Sequence, residues 1–406
     1  MTPEQIMHIA DGLADPAADH LPHTADWWRQ SLAHGVPGIA LLHTELAAAG
    51  LRPWSRVRTW LSAAASAPIT GGTRSTGLFY GAPALAFALA AVAAVRPGAY
   101  RTALERLDEQ IATDARRRAA VAHVRIERGA LPALAEFDTL RGLAGIGAYL
   151  LQRNTHVEDL YAVLGALVRT TLPLADAGGP VPGWWTASGP SGRANQEYPG
   201  GHGNVGLAHG IAGPLALFGL AEAQGITVPG QTEAIAVVCD WLDAWRISTD
   251  CGDRWPYLVT RSELASRPAA VLHSGARRRP SWCYGTAGLA RAQQIAAVAT
   301  CEPDRRQAAE AALINALTDP AQLAATVDNS LCHGRAGLSR IAARAATDAN
   351  HGTAAQLSEI AATLAGSLSP ADTAETGAGF LEGAAGTVLA ALGPPRTRWD
   401  TCLLIA

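Results

Sequence analysis

A short glycine pattern recurs seven times along this chain, and each copy opens an apolar segment with helical periodicity. The pattern is Gly-x-x-Gly, and only the second copy, Gly81 to Ala84, lacks its last glycine. Glycine at the start of a helix lets another backbone approach closely. The copies begin at Gly35, Gly81, Gly142, Gly210, Gly285, Gly334 and Gly383.

A second helical pattern lies between consecutive copies and carries its charges on one face, as in VEDLYAVLGALV and TEAIAVVCDWLDAW. The first glycines of neighbouring copies are 46 to 75 residues apart, which is enough for two helices and their loops. We predict an all-α fold, an α/α toroid of seven inner and seven outer helices, because a closed ring leaves no repeat with an unburied face. The prediction treats residues 1–406 as a single domain.

Composition agrees with one large core. Hydrophobic residues make up 49% of the chain, charged residues 17%, and the net charge is -3, which argues against disorder and against a nucleic acid as partner. The longest apolar run, Ala84 to Val95, would span about 18 Å as a helix, too short for a bilayer of about 30 Å. Sparse cysteines and an acidic N-terminus without a secretion signal predict a cytoplasmic protein.

The residue before the first glycine of each copy differs from repeat to repeat. If the repeats close into a ring, these seven positions face one end of it, so a single mouth collects polar side chains from distant parts of the sequence. The seven residues are His34, Tyr80, Arg141, His209, Tyr284, His333 and Glu382.

Two neighbouring copies carry a cysteine two positions before the repeat glycine, Cys283 and Cys332. Equivalent positions in adjacent repeats predict that the two thiols face each other. With His333 they form a Cys2His donor set, which suits zinc and leaves a fourth coordination position for water or substrate. Two alternatives remain: ordinary buried cysteines beside a hydrogen-bonded histidine, and a disulfide, which a reducing compartment disfavours.

Four segments of the chain together resemble one protein family. The resemblance is to the lanthionine synthetase C-like (LanC) family, and with the glycine repeats it covers nearly the whole sequence. WCYG, CHG and AHG in this order and spacing are specific to that family. The segments are FDTLRGLAGIGAYLL (137–151), GNVGLAHGIAG (203–213), RPSWCYGTAGLA (279–290) and LCHGRAGL (331–338).

The resemblance implies a zinc enzyme that adds peptide cysteine thiols to dehydroalanine or dehydrobutyrine and so closes the thioether rings of lantibiotic-type lanthipeptides. It implies Cys283, Cys332 and His333 as the zinc ligands, and His209 and Asp138 as the acid/base pair. Without the resemblance, Asp138 would be an ordinary helix N-cap and His209 a capped or core histidine.

Two further residues match the family around the first zinc cysteine. Arg279 would stabilise the charge of an enolate, although it also adjoins Arg277 and Arg278 in what reads equally well as a solvated basic patch. Tyr284, from the WCYG motif, either hydrogen-bonds at the mouth or packs as an aromatic side chain.

The implied partners are a dehydrated lanthipeptide precursor, with its leader and core, and a separate dehydratase. The protein itself is not expected to be transmembrane, although it could belong to a membrane-associated synthetase complex. One alternative is a LanC-like enzyme that adds glutathione to dehydrated residues. Another is a non-catalytic zinc-containing scaffold that binds peptides. A toroidal glycoside hydrolase with Asp138 and Glu382 as its carboxylates would leave both cysteines unexplained.

The charged segment between repeats two and three, residues 99–137, is a possible small inserted helical segment. Family members carry an extra subdomain in this region that is proposed to meet the leader peptide. A solvated outer helix explains the same charge pattern.

Overall fold

Seven apolar helices form the inner layer of the fold in a computed structural model that describes residues 1–17, 26–72, 75–176, 178–266, 279–370 and 377–406. Each contacts the next, and the last contacts the first, so the layer closes into a ring. Within the described residues they are α2 (Val36–Ala48), α4 (Ala82–Val95), α7 (Leu143–Arg153), α9 (Ala212–Ala223), α12 (Thr286–Ala299), α15 (Arg335–Asp348) and α17 (Ala384–Ala391).

A second layer packs outside the ring and buries only one face of each helix. In the helix over residues 157–170, the buried side chains follow the i, i+3, i+4, i+7 spacing of Leu160, Val163, Leu164 and Leu167. The outer helices are α1 (Pro3–Gly12), α3 (Trp54–Ala64), α5 (Arg101–Glu127), α8 (Val157–Thr170), α10 (Gln231–Ala244), α13 (Pro303–Thr318) and α16 (His351–Gly366). The predicted α/α toroid is therefore confirmed.

The N-terminal helix α1 supplies the seventh outer position, because it packs on α17. The carbonyl of Leu13, where α1 ends, accepts hydrogen bonds from His43 Nε2 at 2.7 Å and from Trp60 Nε1 at 3.0 Å. These two bonds fasten the first helix of the chain to α2 and α3.

Short elements complete the fold. The helices α6 (Leu134–Phe137), α11 (Arg261–Ala265) and α14 (Pro320–Ala324) lie between the long ones. The all-α prediction omitted the four strands, of three residues each, that the described residues contain. Strand β1 (His202–Asn204) pairs antiparallel with β4 (Leu258–Thr260), and β2 (Ile247–Thr249) with β3 (Gly252–Arg254).

The charged segment after repeat two forms α5, whose buried face packs on α4, α7 and α8. It thus occupies the outer layer between two inner helices. Whether residues 99–137 form an insertion relative to other proteins of this fold stays a prediction. In the described part of the chain, no helix has both the length and the apolar character needed to cross a bilayer.

A closed circuit of backbone hydrogen bonds joins the segments that precede the seven inner helices. Each of the first six segments donates an N–H to a carbonyl of the next, and the seventh donates those of Phe380 and Leu381 back to the first, at 2.8 to 3.3 Å. This circuit fixes the register of neighbouring repeats at the mouth of the ring. The donor and acceptor pairs are Leu32 to Phe79, Phe79 to Leu140, Thr139 to Ala208, Ala208 to Cys283, Cys283 to Cys332, Cys332 to Leu381, and both Phe380 and Leu381 to Ala33.

The last glycine of the repeat is required by close packing. In copies one, three, five, six and seven, a Cβ at that position would collide with the carbonyl oxygen six residues earlier, as at Gly337 against Leu331. In copy four, at Gly213, it would collide with the hydroxyl of Thr139. The helix start and the loop before it therefore pack with no room for a side chain.

The chain beyond the last inner helix fills the middle of the ring. A 3₁₀ turn, Trp399–Leu403, contacts α7, and its Asp400 accepts from Arg340 and Arg344 of α15, with closest approaches of 2.6 Å. Trp282 Nε1 donates to the carbonyl of Leu403 at 2.8 Å. Because Trp282 precedes Cys283, this buried segment supports the floor of the mouth.

Candidate metal centre and active site

One cavity of about 480 Å³ opens at the mouth of the ring. All seven residues that precede the repeat glycines line it, from His34 in the first copy to Glu382 in the last. The ring therefore gathers these polar side chains at one site, as the repeat positions predicted. Residues 190–192, from the long loop before β1, also line the cavity, and no repeat pattern indicated them.

Cys283, Cys332 and His333 form a compact cluster in this cavity. One ligand atom from each residue lies within 4.8 Å of the others. Both cysteines are free thiols, so the disulfide alternative does not hold in this structure. The backbone bond from Cys283 to Cys332 holds the two side chains next to each other. Two sulfurs and one imidazole form a donor set that suits zinc.

The two thiols hold their protons unequally. The pKa of Cys283 falls to about 5, because its sulfur accepts hydrogen bonds from the Cys332 thiol and from His333, and these outweigh burial. The pKa of Cys332 rises well above its ordinary value, because its thiol donates to Cys283 and is itself buried. The hydrogen bond to Cys283 also raises the pKa of His333. The pair thus readily gives up one proton, which favours binding of a cation.

A carboxylate orients the histidine of this cluster. Asp328 Oδ2 lies 3.2 Å from His333 Nε2, and Asp328 Oδ1 accepts the backbone N–H of Ser330 at 2.8 Å. Nε2 faces Asp328, and Nδ1, which lies 4.0 Å from Glu382 Oε1, is the ring nitrogen that could bind a metal. Carboxylates in this position fix the tautomer of histidine ligands and strengthen their metal binding. No sequence motif indicated Asp328, which lies five residues before His333.

His209 and Asp138 form a hydrogen-bonded pair on the wall of the same cavity. Asp138 Oδ2 lies 2.8 Å from His209 Nδ1, and its Oδ1 accepts the backbone N–H groups of Arg141 and Gly142, both at 2.7 Å. Asp138 therefore fixes the turn that leads into helix α7, whose N-cap is Gly142, and orients His209 at the same time. Its side chain is 3% exposed and that of His209 is 30% exposed. Since Nδ1 is bonded to Asp138, Nε2 of His209 is the nitrogen left to exchange a proton with a ligand.

Tyr284 and Arg279 also line the cavity. Tyr284 Oη accepts a hydrogen bond from Asn204 Nδ2 at 2.9 Å, and burial raises the pKa of this tyrosine, so its hydroxyl stays protonated. Arg279 Nε donates to Ser281 Oγ at 3.1 Å, and its carbonyl accepts from Tyr257 at 2.8 Å. Arg277 and Arg278 lie outside the described residues, which leaves the basic-patch alternative untested.

The arrangement combines three chemical capacities around one cavity. The Cys2His cluster can hold a soft metal ion that keeps a thiol deprotonated. The oriented imidazole of His209 can take up and deliver a proton. The Tyr284 hydroxyl and the Arg279 guanidinium are donors that can stabilise a developing negative charge.

Comparisons with known proteins agree on one family. The sequence pattern of the family described as "Lanthionine synthetase C-like protein" matches residues 26–404. The chain is 24% identical over 208 residues to the Nisin biosynthesis protein NisC of Lactococcus lactis subsp. lactis. That alignment covers 51% of this chain and about half, 48%, of the relative.

A solved structure extends the likeness in fold to almost the full chain. It is that of the nisin cyclase, with a TM-score of 0.74 and 21% sequence identity over 94% of this chain and 93% of that one. At this level of identity, the likeness establishes the toroid and leaves the chemistry to the site residues.

Proposed function

Because this chain belongs to the lanthionine synthetase C-like family, we propose that it is a zinc-dependent lanthipeptide cyclase. It would add cysteine thiols of a dehydrated precursor peptide to dehydroalanine or dehydrobutyrine and form thioether rings. The observation that carries the proposal is the position of the Cys283, Cys332 and His333 cluster in the same cavity as the oriented His209. A thiol-activating group and a proton carrier are the two components that such an addition needs.

The residues present fit a zinc ion. Cys283, Cys332 and His333 would hold it, with Asp328 orienting the imidazole, and three protein ligands leave a coordination position for substrate, as in catalytic zinc sites. Zinc bound there would supply a Lewis acid that keeps the substrate cysteine as a thiolate near neutral pH, although the free thiol has a pKa of about 8.5.

The chain's own residues would manage the protons and the charge of the addition. The substrate sulfur forms a bond to the β-carbon, and the electron pair of the carbon–carbon double bond moves toward the adjacent carbonyl to give an enolate. Tyr284 and Arg279 line the cavity, and their hydroxyl and guanidinium groups would be the donors that stabilise that charge. The α-carbon then takes up one proton, so the product has the mass of the substrate.

His209 is our candidate for the proton carrier. Asp138 holds its Nδ1, so Nε2 can accept the proton of the incoming thiol and return a proton to the α-carbon. The carboxylate also stabilises the imidazolium formed between these two steps. Both steps therefore use one nitrogen of one residue.

The proposed substrate implies its supplier. A precursor peptide must carry dehydrated serine or threonine residues before this addition can occur, so a separate dehydratase would act first. We propose that both proteins act in the cytoplasm, where they could join a membrane-associated synthetase complex.

The test is incubation of the zinc-loaded protein with a peptide that carries one cysteine and one dehydroalanine. Cyclisation conserves mass but removes the free thiol, so the product should resist iodoacetamide while the substrate gains one alkyl group. The variant Cys283→Ala should leave the thiol reactive, and the matched variant Cys301→Ala, at an exposed cysteine away from the cluster, should behave as wild type.

The same reaction mixture separates the alternatives. With added glutathione, an enzyme that transfers glutathione would increase the product mass by one glutathione, whereas a cyclase would give the unchanged mass. A non-catalytic scaffold would bind the peptide and leave its thiol reactive in wild type and Cys283→Ala alike. Either of these two results would contradict the proposed cyclase.

A further inference from the structure

A second cavity, of about 660 Å³, lies beside the candidate active site. Its wall contains Gln30, Thr70, Thr76, Tyr80 and Arg141, and the last two of these also line the site cavity. The two cavities therefore adjoin at Tyr80 and Arg141. An extended ligand bound in one cavity can therefore continue into the other while it stays in contact with the protein.

The backbone of Arg141 is held in place from two sides. Its N–H donates to Asp138 Oδ1 at 2.7 Å, and its carbonyl accepts from Arg118 Nη1 at 2.7 Å. Its guanidinium lies over the ring of Tyr80, 4.7 Å from the ring centroid. Such stacking suits arginine and orders its donors. The side chain is thus pre-organised at the boundary between the cavities.

The charge of this arginine is not neutralised by the described part of the protein. No carboxylate among the described residues lies within ion-pair distance of the Arg141 guanidinium, and the residue is exposed. Asp138, which the Arg141 backbone contacts, already uses both oxygens for other donors. A fixed guanidinium with free donors is the side chain that proteins use for carboxylates, which it can bind through two hydrogen bonds.

We propose that the second cavity binds the segment of the peptide substrate that flanks the reacting cysteine, and that Arg141 recognises an acidic side chain in that segment. The proposal rests on the proposed function for the nature of the substrate. An extended peptide can occupy both adjoining cavities at once. Its reacting cysteine would lie at the Cys2His cluster, and the residues next to that cysteine would lie beside Tyr80 and Arg141. The site would select among peptides by the position of an acidic residue relative to the cysteine.

The test measures binding without reaction. Twelve-residue peptides, acetylated and amidated, carry one central cysteine and one glutamate that is moved through the remaining alanine and serine positions. An isosteric series carries glutamine instead. Affinities for the zinc-loaded protein are measured by calorimetry. One further pair of peptides, with free and amidated C-termini, distinguishes a terminal carboxylate from a side-chain carboxylate.

The proposal predicts that glutamate binds about tenfold more tightly than glutamine over a contiguous block of positions on one side of the cysteine. Arg141→Ala should abolish that preference and leave the affinity for glutamine peptides unchanged, and Arg141→Lys should keep part of it. The matched control Arg128→Ala, at the exposed end of α5, should keep all of it.

Three results would overturn the proposal: no position at which glutamate is preferred, a preference that survives Arg141→Ala, or a preference confined to the free C-terminus. Absence of peptide binding to wild type would overturn it too. The peptides contain no dehydrated residue, so failure of cyclisation would refute the proposed function and leave this measurement valid. Equal melting temperatures of the variants exclude unfolding as the cause of a lost preference.

Discussion

The backbone N–H of Cys283 donates to the carbonyl oxygen of Cys332 at 3.1 Å, and this bond belongs to the circuit that closes the ring at its mouth. The thiols of Cys283 and Cys332 come from different repeats and are adjacent because backbone hydrogen bonds join those repeats. The cluster of Cys283, Cys332 and His333 needs no loop of its own, since the circuit that joins the repeats also holds its side chains together.

The repeat glycines give a direct test of this architecture. Gly337→Ala should lower the free energy of unfolding by about 1 to 3 kcal/mol, because its Cβ would overlap the carbonyl of Leu331. The matched change Gly366→Ala, at the exposed end of α16 with open space around it, should be neutral or stabilise by up to about 1 kcal/mol. Urea denaturation of both variants checks this, and equal effects would contradict the packing argument.

The orientation of His209 can be tested by changing its partner. Asp138→Asn keeps an oxygen for the N–H groups of Arg141 and Gly142 but places an amide opposite His209 Nδ1, which favours the wrong tautomer. The turnover rate should fall about 10² to 10⁴-fold, while the melting temperature changes by only a few degrees. Turnover close to wild type would show that the pair has no catalytic role.

The carboxylate of Asp328 should strengthen metal binding through His333. Asp328→Asn is expected to weaken zinc affinity about 10 to 100-fold, because the imidazole loses the partner that fixes its tautomer. Competition with a chromophoric chelator measures this affinity without any activity assay. Asp304→Asn, which removes the same charge at an exposed position of α13, should leave the affinity unchanged.

Burial of His43 predicts a pH dependence of stability. Burial lowers its pKa to about 4 and outweighs the hydrogen bond from Nε2 to the Leu13 carbonyl, which raises the pKa, so the folded state holds the imidazole neutral. The unfolded chain, with a histidine pKa near 6.5, binds more protons below that pH. Stability is therefore fully present above about pH 6.5 and falls toward pH 4, by about 1.4 kcal/mol per pH unit from this residue.

His43→Gln isolates that contribution, because the glutamine amide can still donate to Leu13. Between pH 6.5 and 4, the slope of the unfolding free energy against pH should be smaller than in wild type by the amount that corresponds to about one bound proton. His202, whose pKa burial also lowers to about 4, contributes equally in both proteins. Parallel slopes would mean that His43 is not held neutral.

The ring and its mouth were predictable from the sequence because their causes are local. Where the start of an inner helix packs against the preceding loop, there is no room for a side chain, so glycine is required. This requirement appears in the sequence as the recurring Gly-x-x-Gly pattern. The position before the glycine then projects to the same end of every repeat. For that reason His34 and Glu382, distant in sequence, were both expected at the cavity that they line.

The remaining features depend on contacts between distant segments that follow no repeat. Trp399 and Asp400 fill the ring from a stretch without periodicity, and the helix that closes the outer layer, α1, comes from the other end of the chain. Strand β1 pairs with β4 more than fifty residues later. Asp328 reaches His333 only through the turn between them.

The most direct measurement of the central claim is the zinc content of the purified protein, prepared without chelators, for wild type and Cys332→Ala. The account predicts about one zinc per chain in wild type, loss of the metal in Cys332→Ala, and full retention in the matched variant Cys301→Ala. A wild-type protein without zinc, or a Cys332→Ala protein that keeps it, would contradict the account.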